Sequence, residues 1–337
     1  MDEKIKISLP KTTLNLLKKD CEDFKILKEN GSPNMNAFIN TLILNFYEAF
    51  SASEESLHDE IQKAIFAIPN LYKEKAFNDL VKIFSKRNDI NENKSDTATL
   101  SFKPTKFSEK AIIYIEHILL KSESLSSFYR RMFISYSKKT KNEREKIIYK
   151  ENYELLQKAI SKNLKVCITL KNKDTIFNNC AIHSISASKD ELFNYVLFYY
   201  KKQNHTIRLA SIKIVALQHE TSYIPEKNKI LFDRQVECAV QYPMYNSDNE
   251  PIKVKLTEKG KDLFKRIYLY RPEPVEIDEN IYTFNCSANQ LLYYFERFGD
   301  NAVILSPKRL GIYMRNYYYY AYRKYKKIYN NDLQNSN

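Results

Sequence analysis

The chain has 337 residues, enough for two or three domains that each bury a core, and Lys+Arg 54 against Asp+Glu 41 leaves a net charge of +13, which favours a polyanionic partner. The four glycines, Gly31, Gly260, Gly299 and Gly311, stand too far apart to build a phosphate-cradling loop. The five cysteines, Cys21, Cys167, Cys180, Cys238 and Cys286, are odd in number and lack CxxC spacing, which argues against a disulfide framework or a zinc knuckle.

Residues 4–9, KIKISL, alternate strictly, with Ile5, Ile7 and Leu9 on one side and Lys4, Lys6 and Ser8 on the other, which predicts a strand. Pro10 suits a helix start, and helical spacing of Leu14, Leu17, Cys21, Phe24, Ile26 and Leu27 over 13–28 predicts a helix that Asn30-Gly31 stops. Asn34 or Asn36 then caps a second helix with an apolar stripe of Phe38, Ile39, Leu42, Ile43, Phe46 and Tyr47. The pattern returns. Residues 97–102, TATLSF, place Ala98, Leu100 and Phe102 inward and Thr97, Thr99 and Ser101 outward; 105–120 reads as helix, and Ser124 opens another. Laying SLSSFYRRMFISY over NMNAFINTLILNF puts Ser124 on Asn34, Phe128 on Phe38, Met132 on Leu42 and Phe133 on Ile43. Between the copies, 53–67 and 73–85 predict two amphipathic helices and 88–95 a polar linker. Two unrelated helical hairpins are the competing reading.

The order strand, helix, helix resembles the ribbon-helix-helix family, in which two copies pair their strands into a ribbon that enters the DNA major groove. One copy cannot satisfy its strand edge, so the expected arrangement is an intrachain pseudo-dimer of copies 1–50 and 97–140 within a region 1–145. The ribbon's outward side chains would be Lys4, Lys6, Ser8, Thr97, Thr99 and Ser101. None of these six offers the bidentate base contact of Arg, Asn or Gln, and Arg130 and Arg131 are the nearest further cations. The charge run 138–150, KKTKNEREKIIYK, predicts a solvated helix, and 152–162 a helix leading onward.

Apolar and polar residues alternate in short runs over 164–217, at 166–170, 175–186, 192–200, 206–209 and 213–217, with polar turns at 172–174, 188–190 and 201–204. Five short strands favour closure into a small barrel. The stretch resembles a WYL domain, a bacterial Sm-like barrel named for a Trp-Tyr-Leu strand. That strand falls on Asn194, Tyr195 and Val196, and the family's Arg-Leu-Asp-Arg-Ile signature on Arg208, Leu209, Ala210, Ser211 and Ile212. The resemblance implies a nucleic-acid-sensing patch on these positions, with Tyr195 and Arg208 kept and Ser211 where the family has its second arginine; His183 at the end of the second strand, Lys165 and Lys213 are further candidate contacts read from position and charge, with a structural or solvated role as the alternative. Phosphate or an internal carboxylate would each satisfy Arg208. Lys201, Lys202 and His205 could widen the basic surface.

A helix is expected over 226–241 and a turn-rich linker over 243–251. The remainder reads strand 252–256, helix 260–268, strands 274–277 and 281–286, helix 288–298, strand 302–305 and a long helix from 306, an order that suits a ferredoxin-like α+β layer. It resembles the extension that follows WYL domains, including FGDNAVILSP at 298–307. The last helix interleaves tyrosines with cations; single-stranded nucleic acid could stack on it, and a dimer interface through Tyr313, Tyr317 and Tyr320 is the preferred expectation.

The expected organisation is therefore a multidomain α+β chain: the ribbon-helix-helix region 1–145, an Sm-like barrel 150–220, a linker helix 221–250 and a ferredoxin-like dimerisation domain 251–337. The five histidines, His58, His117, His183, His205 and His219, lack metal-ligand spacing, and no nucleophile or paired-carboxylate motif stands out, so no catalysis, metal or cofactor is expected. No secretory segment follows Met1 and no apolar run is long enough to span a bilayer, so the expected site is the cytoplasm, without membrane contact. Ribbon, barrel and extension in this order resemble the WYL accessory proteins of type VI-D CRISPR systems. That resemblance implies a homodimer that binds single-stranded RNA and stimulates the CRISPR effector nuclease. A ligand-sensing transcriptional regulator that binds duplex DNA through the ribbon is the alternative.

Overall fold

The first alternating run becomes β1 (Ile5–Pro10), and its later counterpart becomes β2 (Thr97–Phe102). They pair antiparallel within the one chain, Lys6 opposite Ser101, Ile7 opposite Leu100 and Ser8 opposite Thr99. Period-2 geometry buries Ile7, Leu9, Leu100 and Phe102 and exposes Lys6, Ser8, Thr99 and Ser101. The computed structural model describes residues 4–66, 69–89, 96–120, 123–171 and 175–334. Residues 90–95 of the expected linker and the expected turn at 172–174 lie outside the described residues. The chain divides into two units, Met1–Glu151 and Asn152–Asn337.

In the first unit, α1 (Lys11–Asp23) starts directly after β1. It ends earlier than its apolar spacing suggests, because Lys25 turns into the left-handed region at φ 54°. α2 (Met35–Ala64) fuses the helix expected to carry the Phe38–Tyr47 stripe with the one expected over 53–67, since Ser51, Ala52 and Ser53 contain no helix breaker. Then come α3 (Asn70–Asp89), α4 (Lys106–Tyr114) with a π-turn at Ile115–Leu119, α5 (Leu125–Ser137) and α6 (Lys141–Ile148).

The repeat noticed in sequence has a geometric counterpart. Asn34 caps α2 by accepting from the Ala37 N–H, and the aligned Ser124 caps α5 by accepting from the Ser127 N–H. Six residues further on, Asn40 donates to the Lys103 carbonyl just past β2 at 3.0 Å, while the aligned Arg130 donates to the Ser8 carbonyl in β1 at 2.8 Å. Each helix thus braces the other copy's strand. Phe38, Leu42 and Ile43 from α2 and Phe128, Met132 and Phe133 from α5 are all buried.

The run 138–150 departs from expectation. It was expected to be solvated, yet Arg144 and Glu145 are buried, because α6 is short and turns one full face to the core. Arg144 forks onto Asp20 of α1, Nε to Oδ2 at 2.6 Å and Nη2 to Oδ1 at 3.0 Å, and also donates to the Lys139 carbonyl. Tyr136 of α5 donates to the same carboxylate at 3.0 Å, so one buried charge pair fastens three helices.

The second unit opens with most of α7 (Lys150–Ser161), followed by β3 (Leu164–Leu170), β4 (Ile176–Ala187), β5 (Asn194–Tyr200), β6 (Gln203–Arg208) and β7 (Ile212–Thr221). Their antiparallel order is β6-β5-β4-β3-β7. The expected closed barrel is not formed: β6 and β7 are the two edges of an open sheet, joined by a short turn at Leu209–Ser211 rather than by a ladder. An overlying helix covers part of this sheet in place of closure. That helix is α8 (Glu226–Cys238), whose Phe232 packs with Leu197 and Ala181 of the sheet; Asn204 and Asn228 are hydrogen-bonded side chain to side chain at 2.8 Å beneath it.

The last segment gives β8 (Ile252–Leu256), α9 (Glu258–Arg266), β9 (Pro274–Asp278), β10 (Ile281–Phe284), α10 (Ala288–Phe295), β11 (Ala302–Ser306) and α11 (Lys308–Gln334). The sheet order β11-β8-β10-β9 is antiparallel throughout. Its core comprises Ile252, Val254 and Leu256 against Phe284, Leu291, Tyr294, Phe295 and Phe298. Gly260 in α9 lies so near the Asn301 carbonyl that an added Cβ would stand 2.2 Å from that oxygen. Gly260→Ala is therefore expected to destabilise the chain by about 3 kcal/mol, read as a lowered urea midpoint. Among the described residues no helix is long and apolar enough to cross a membrane.

Candidate nucleic-acid interface

β5 and β6 form a hairpin in which Tyr200 faces Gln203 and Tyr195 faces Arg208. The two-residue connection is Lys201-Lys202, with φ 46° and 66°. A two-residue turn with both central residues in the left-handed region is normally built from Asn-Gly, because a Cβ there costs about 1–2 kcal/mol per residue. Here two lysines hold it, and both are exposed. Lys25, Asn163, Asn179, Leu192, Tyr270 and Glu279 also take positive φ, but Lys201-Lys202 is the pair of adjacent ones among the described residues.

Around that tip stands an aromatic cluster. Lys201 Nζ lies 5.2 Å over the Tyr200 ring. His205 stacks on Phe198 at 5.3 Å and meets Tyr200 at 5.8 Å, while Phe177 of β4 stands edge-on to Tyr200 at 5.2 Å and to Phe198 at 5.3 Å. Phe198 is buried, whereas Phe177, Tyr200 and His205 are half-buried, so their edges reach solvent. Flat rings beside exposed cations can stack bases and pair phosphates. Lys201, Lys202 and His205 were readable as a basic cluster; Tyr200 and Phe177 were missed, because only the strand pairing brings them together.

The patch expected from the WYL resemblance is distributed over the sheet. Tyr195 and Arg208 are cross-strand partners, but at the opposite end of the hairpin from the lysine turn and on the face that carries α8. The Tyr195 hydroxyl donates to Glu191 at 2.5 Å, and Tyr270 donates to the same carboxylate at 2.9 Å. The Arg208 guanidinium lies 3.1 Å over the Phe193 ring, half-exposed. His183 is half-buried, stacked on Phe232 at 4.9 Å with Nε2 3.3 Å from Asp233. Lys165 pairs with Glu220 at 2.6 Å, near the end of the β3–β7 ladder remote from Ser211 and Lys213. Ser211 accepts from the Lys171 N–H, and Lys213 is exposed just beyond it.

Burial lowers the pKa of both His183 and His205; Asp233 pulls His183 back up and Lys229 pushes it down, and the Tyr200 carbonyl pulls His205 back up. Both rings therefore bind their protons more weakly folded than unfolded. Stability is expected to be full above the ordinary histidine value of 6.5 and to fall as the pH drops through it toward the depressed folded values. Urea midpoints at neutral and mildly acid pH would show this, and the His183→Gln/His205→Gln double variant should flatten the profile.

The first unit offers a poorer surface for a polyanion. The N-terminus of α5 borders a concavity of about 940 Å³, lined by Ser8, Arg130 and Arg131 but also by Glu54, Glu55 and Glu123. Arg131 is paired with both Glu54 and Glu123, and Arg130 is committed to Ser8. Of the expected ribbon contacts, Lys4, Lys6, Ser8, Thr99 and Ser101 are exposed and Thr97 is half-buried.

On α11, Tyr313, Tyr317 and Tyr320 are exposed at 57%, 45% and 61% and line, with Lys324, Tyr325 and Ile328, a groove of about 770 Å³ along one side of the helix. Among the described residues no group of three or more His, Cys, Asp or Glu side chains is placed to hold a metal ion. Burial pushes the Cys21 thiol up to about 11 and the Cys180 thiol up to about 12, leaving both protonated at neutral pH.

No protein-family model matches the chain, and no curated protein matches it. Among solved structures, a crystal structure of a CRISPR Cas-related protein is similar to it with a TM-score of 0.67 at 18% identity, covering 97% of this chain and 95% of that one. That likeness is one of fold. The proteasome accessory factor B/C (PafBC) of Arthrobacter aurescens aligns over 66% of this chain and 38% of its own with a TM-score of 0.23 at 12% identity.

Proposed function

We propose that the chain is a non-catalytic, CRISPR-associated accessory protein that binds single-stranded RNA through the β5–β6 hairpin and stimulates an RNA-guided RNA nuclease of the type VI-D class. The observation that carries RNA binding is the strained Lys201-Lys202 turn set against Tyr200, His205 and Phe177. Arg208 on Phe193 supplies a second cationic plane at the other end of the hairpin. The CRISPR association draws on the shared fold of the CRISPR Cas-related protein and on the domain order. In this reading the first unit is an intrachain ribbon-helix-helix, the five-stranded sheet an open Sm-like sheet of WYL type, and the last sheet a ferredoxin-like layer. Their strand orders and the reciprocal Asn40 and Arg130 braces support those assignments. The chain pairs with a second copy through the α11 groove at Tyr313, Tyr317 and Tyr320.

A second reading, a transcriptional regulator reading duplex DNA, is favoured by the β1–β2 ribbon with its exposed Lys6 and Ser8. Titration of labelled single-stranded RNA and duplex DNA at several salt concentrations separates the two. The RNA reading expects tighter single-strand binding that is insensitive to Lys4→Ala/Lys6→Ala; preference for one duplex sequence, lost in that variant, would sink it. Adding the protein to the nuclease reaction tests stimulation separately.

A further inference from the structure

The distal part of α11 carries two different faces. One is the groove lined by Tyr313, Tyr317, Tyr320, Lys324 and Ile328. The other follows the same helical spacing through Arg315, Tyr319, Tyr322 and Lys326, with Arg323 beside it, and all five are exposed. On this second face two of the three cations sit against a ring, Arg323 5.9 Å over Tyr319 and Lys326 5.8 Å over Tyr322, while Arg315 donates to the Asn316 side-chain oxygen. No Asp or Glu occurs between Lys308 and Asn331. A second copy of the chain laid on this face would set cation against cation, whereas a polyanion with stackable groups is complementary to it in both charge and shape of contact.

We propose that the Arg315, Tyr319, Tyr322, Arg323 and Lys326 face of α11 is a second binding surface for single-stranded RNA, separate from the hairpin. From Arg315 to Lys326 the face extends about 17 Å along the helix, a track rather than a point contact. Its tyrosines stack bases and its guanidinium and ammonium groups hold the flanking phosphates. The choice of RNA over DNA rests on the function proposed above; the face itself does not depend on the hairpin.

The test uses the full-length chain with labelled oligouridine, by fluorescence anisotropy across a salt series. Tyr319→Ala/Tyr322→Ala should weaken binding about 30-fold with an unchanged salt slope. Arg323→Ala/Lys326→Ala should flatten the slope of log K against log salt by about 1.4, at about 0.7 per neutralised cation. Lys201→Asn/Lys202→Gly is measured alongside. Loss in the hairpin variant with both helix variants unchanged overturns this proposal and spares the hairpin; loss in the helix variants with the hairpin variant unchanged sustains it and sinks the hairpin site. A change of oligomeric state in the helix variants by light scattering without a change of RNA affinity also overturns it.

Discussion

Asp20→Ala is expected to lower the stability of the chain by about 3–5 kcal/mol, measured as a shift in urea unfolding followed by tyrosine fluorescence, the chain having no tryptophan. The carboxylate is 1% exposed and takes two bonds from Arg144 and one from Tyr136. Removing it leaves the Arg144 charge without its counter-ion, held by the Lys139 carbonyl, and takes the carboxylate from the Tyr136 phenol; the cost of such an unpaired buried charge exceeds the worth of the pair itself. Against total stabilities of about 5–15 kcal/mol, the loss is a large fraction. Replacing both partners by apolar residues of similar volume should recover much of it. A single Asp20→Ala variant as stable as the parent would mean that Arg144 finds another acceptor.

The second large effect concerns the hairpin. Lys201→Asn/Lys202→Gly installs the residues that a two-residue turn of this geometry prefers, and it should raise stability by about 1 kcal/mol by relieving two left-handed lysines. The same change should weaken single-stranded RNA binding about 30-fold, on the order of 2 kcal/mol, and flatten the salt slope by about 1.4. Gain of stability with loss of binding is the outcome that a merely structural turn cannot give. Arg208→Ala should cost about 10-fold to about 100-fold in affinity, the range of hydrogen bonds to charged groups. If the turn variant binds RNA as tightly as the parent, the lysines are retained for another reason.

Much of the element pattern was legible in the residues. The strand at 252–256 was read with its exact bounds, because strict alternation of Ile252, Val254 and Leu256 with lysines leaves no helical alternative. The cap of α2 was narrowed to Asn34 or Asn36, of which Asn34 is the one that accepts from the helix, and Ser124 was read as a helix start, because short polar side chains stand just before apolar stripes. What failed depends on partners far apart in sequence. Arg144 looked solvated because its acceptor, Asp20, is 124 positions away. Barrel closure was inferred from strand number alone, and pairing of the last strand β7 with the first strand β3 left β6 an open edge. The candidate site shows the same division: the lysine turn and His205 were visible as charge, but Phe177 joins Tyr200 only through the β4–β5–β6 register.

The most direct test of single-stranded RNA binding by the hairpin is photo-crosslinking of 4-thiouridine RNA to the full chain, with the attached peptides identified by mass spectrometry. The proposed function predicts adducts in the peptides that carry Phe177, Tyr200 and His205, lost in Lys201→Asn/Lys202→Gly. Adducts confined to residues 4–8 and 97–101 of the ribbon, unchanged by that variant, would contradict it.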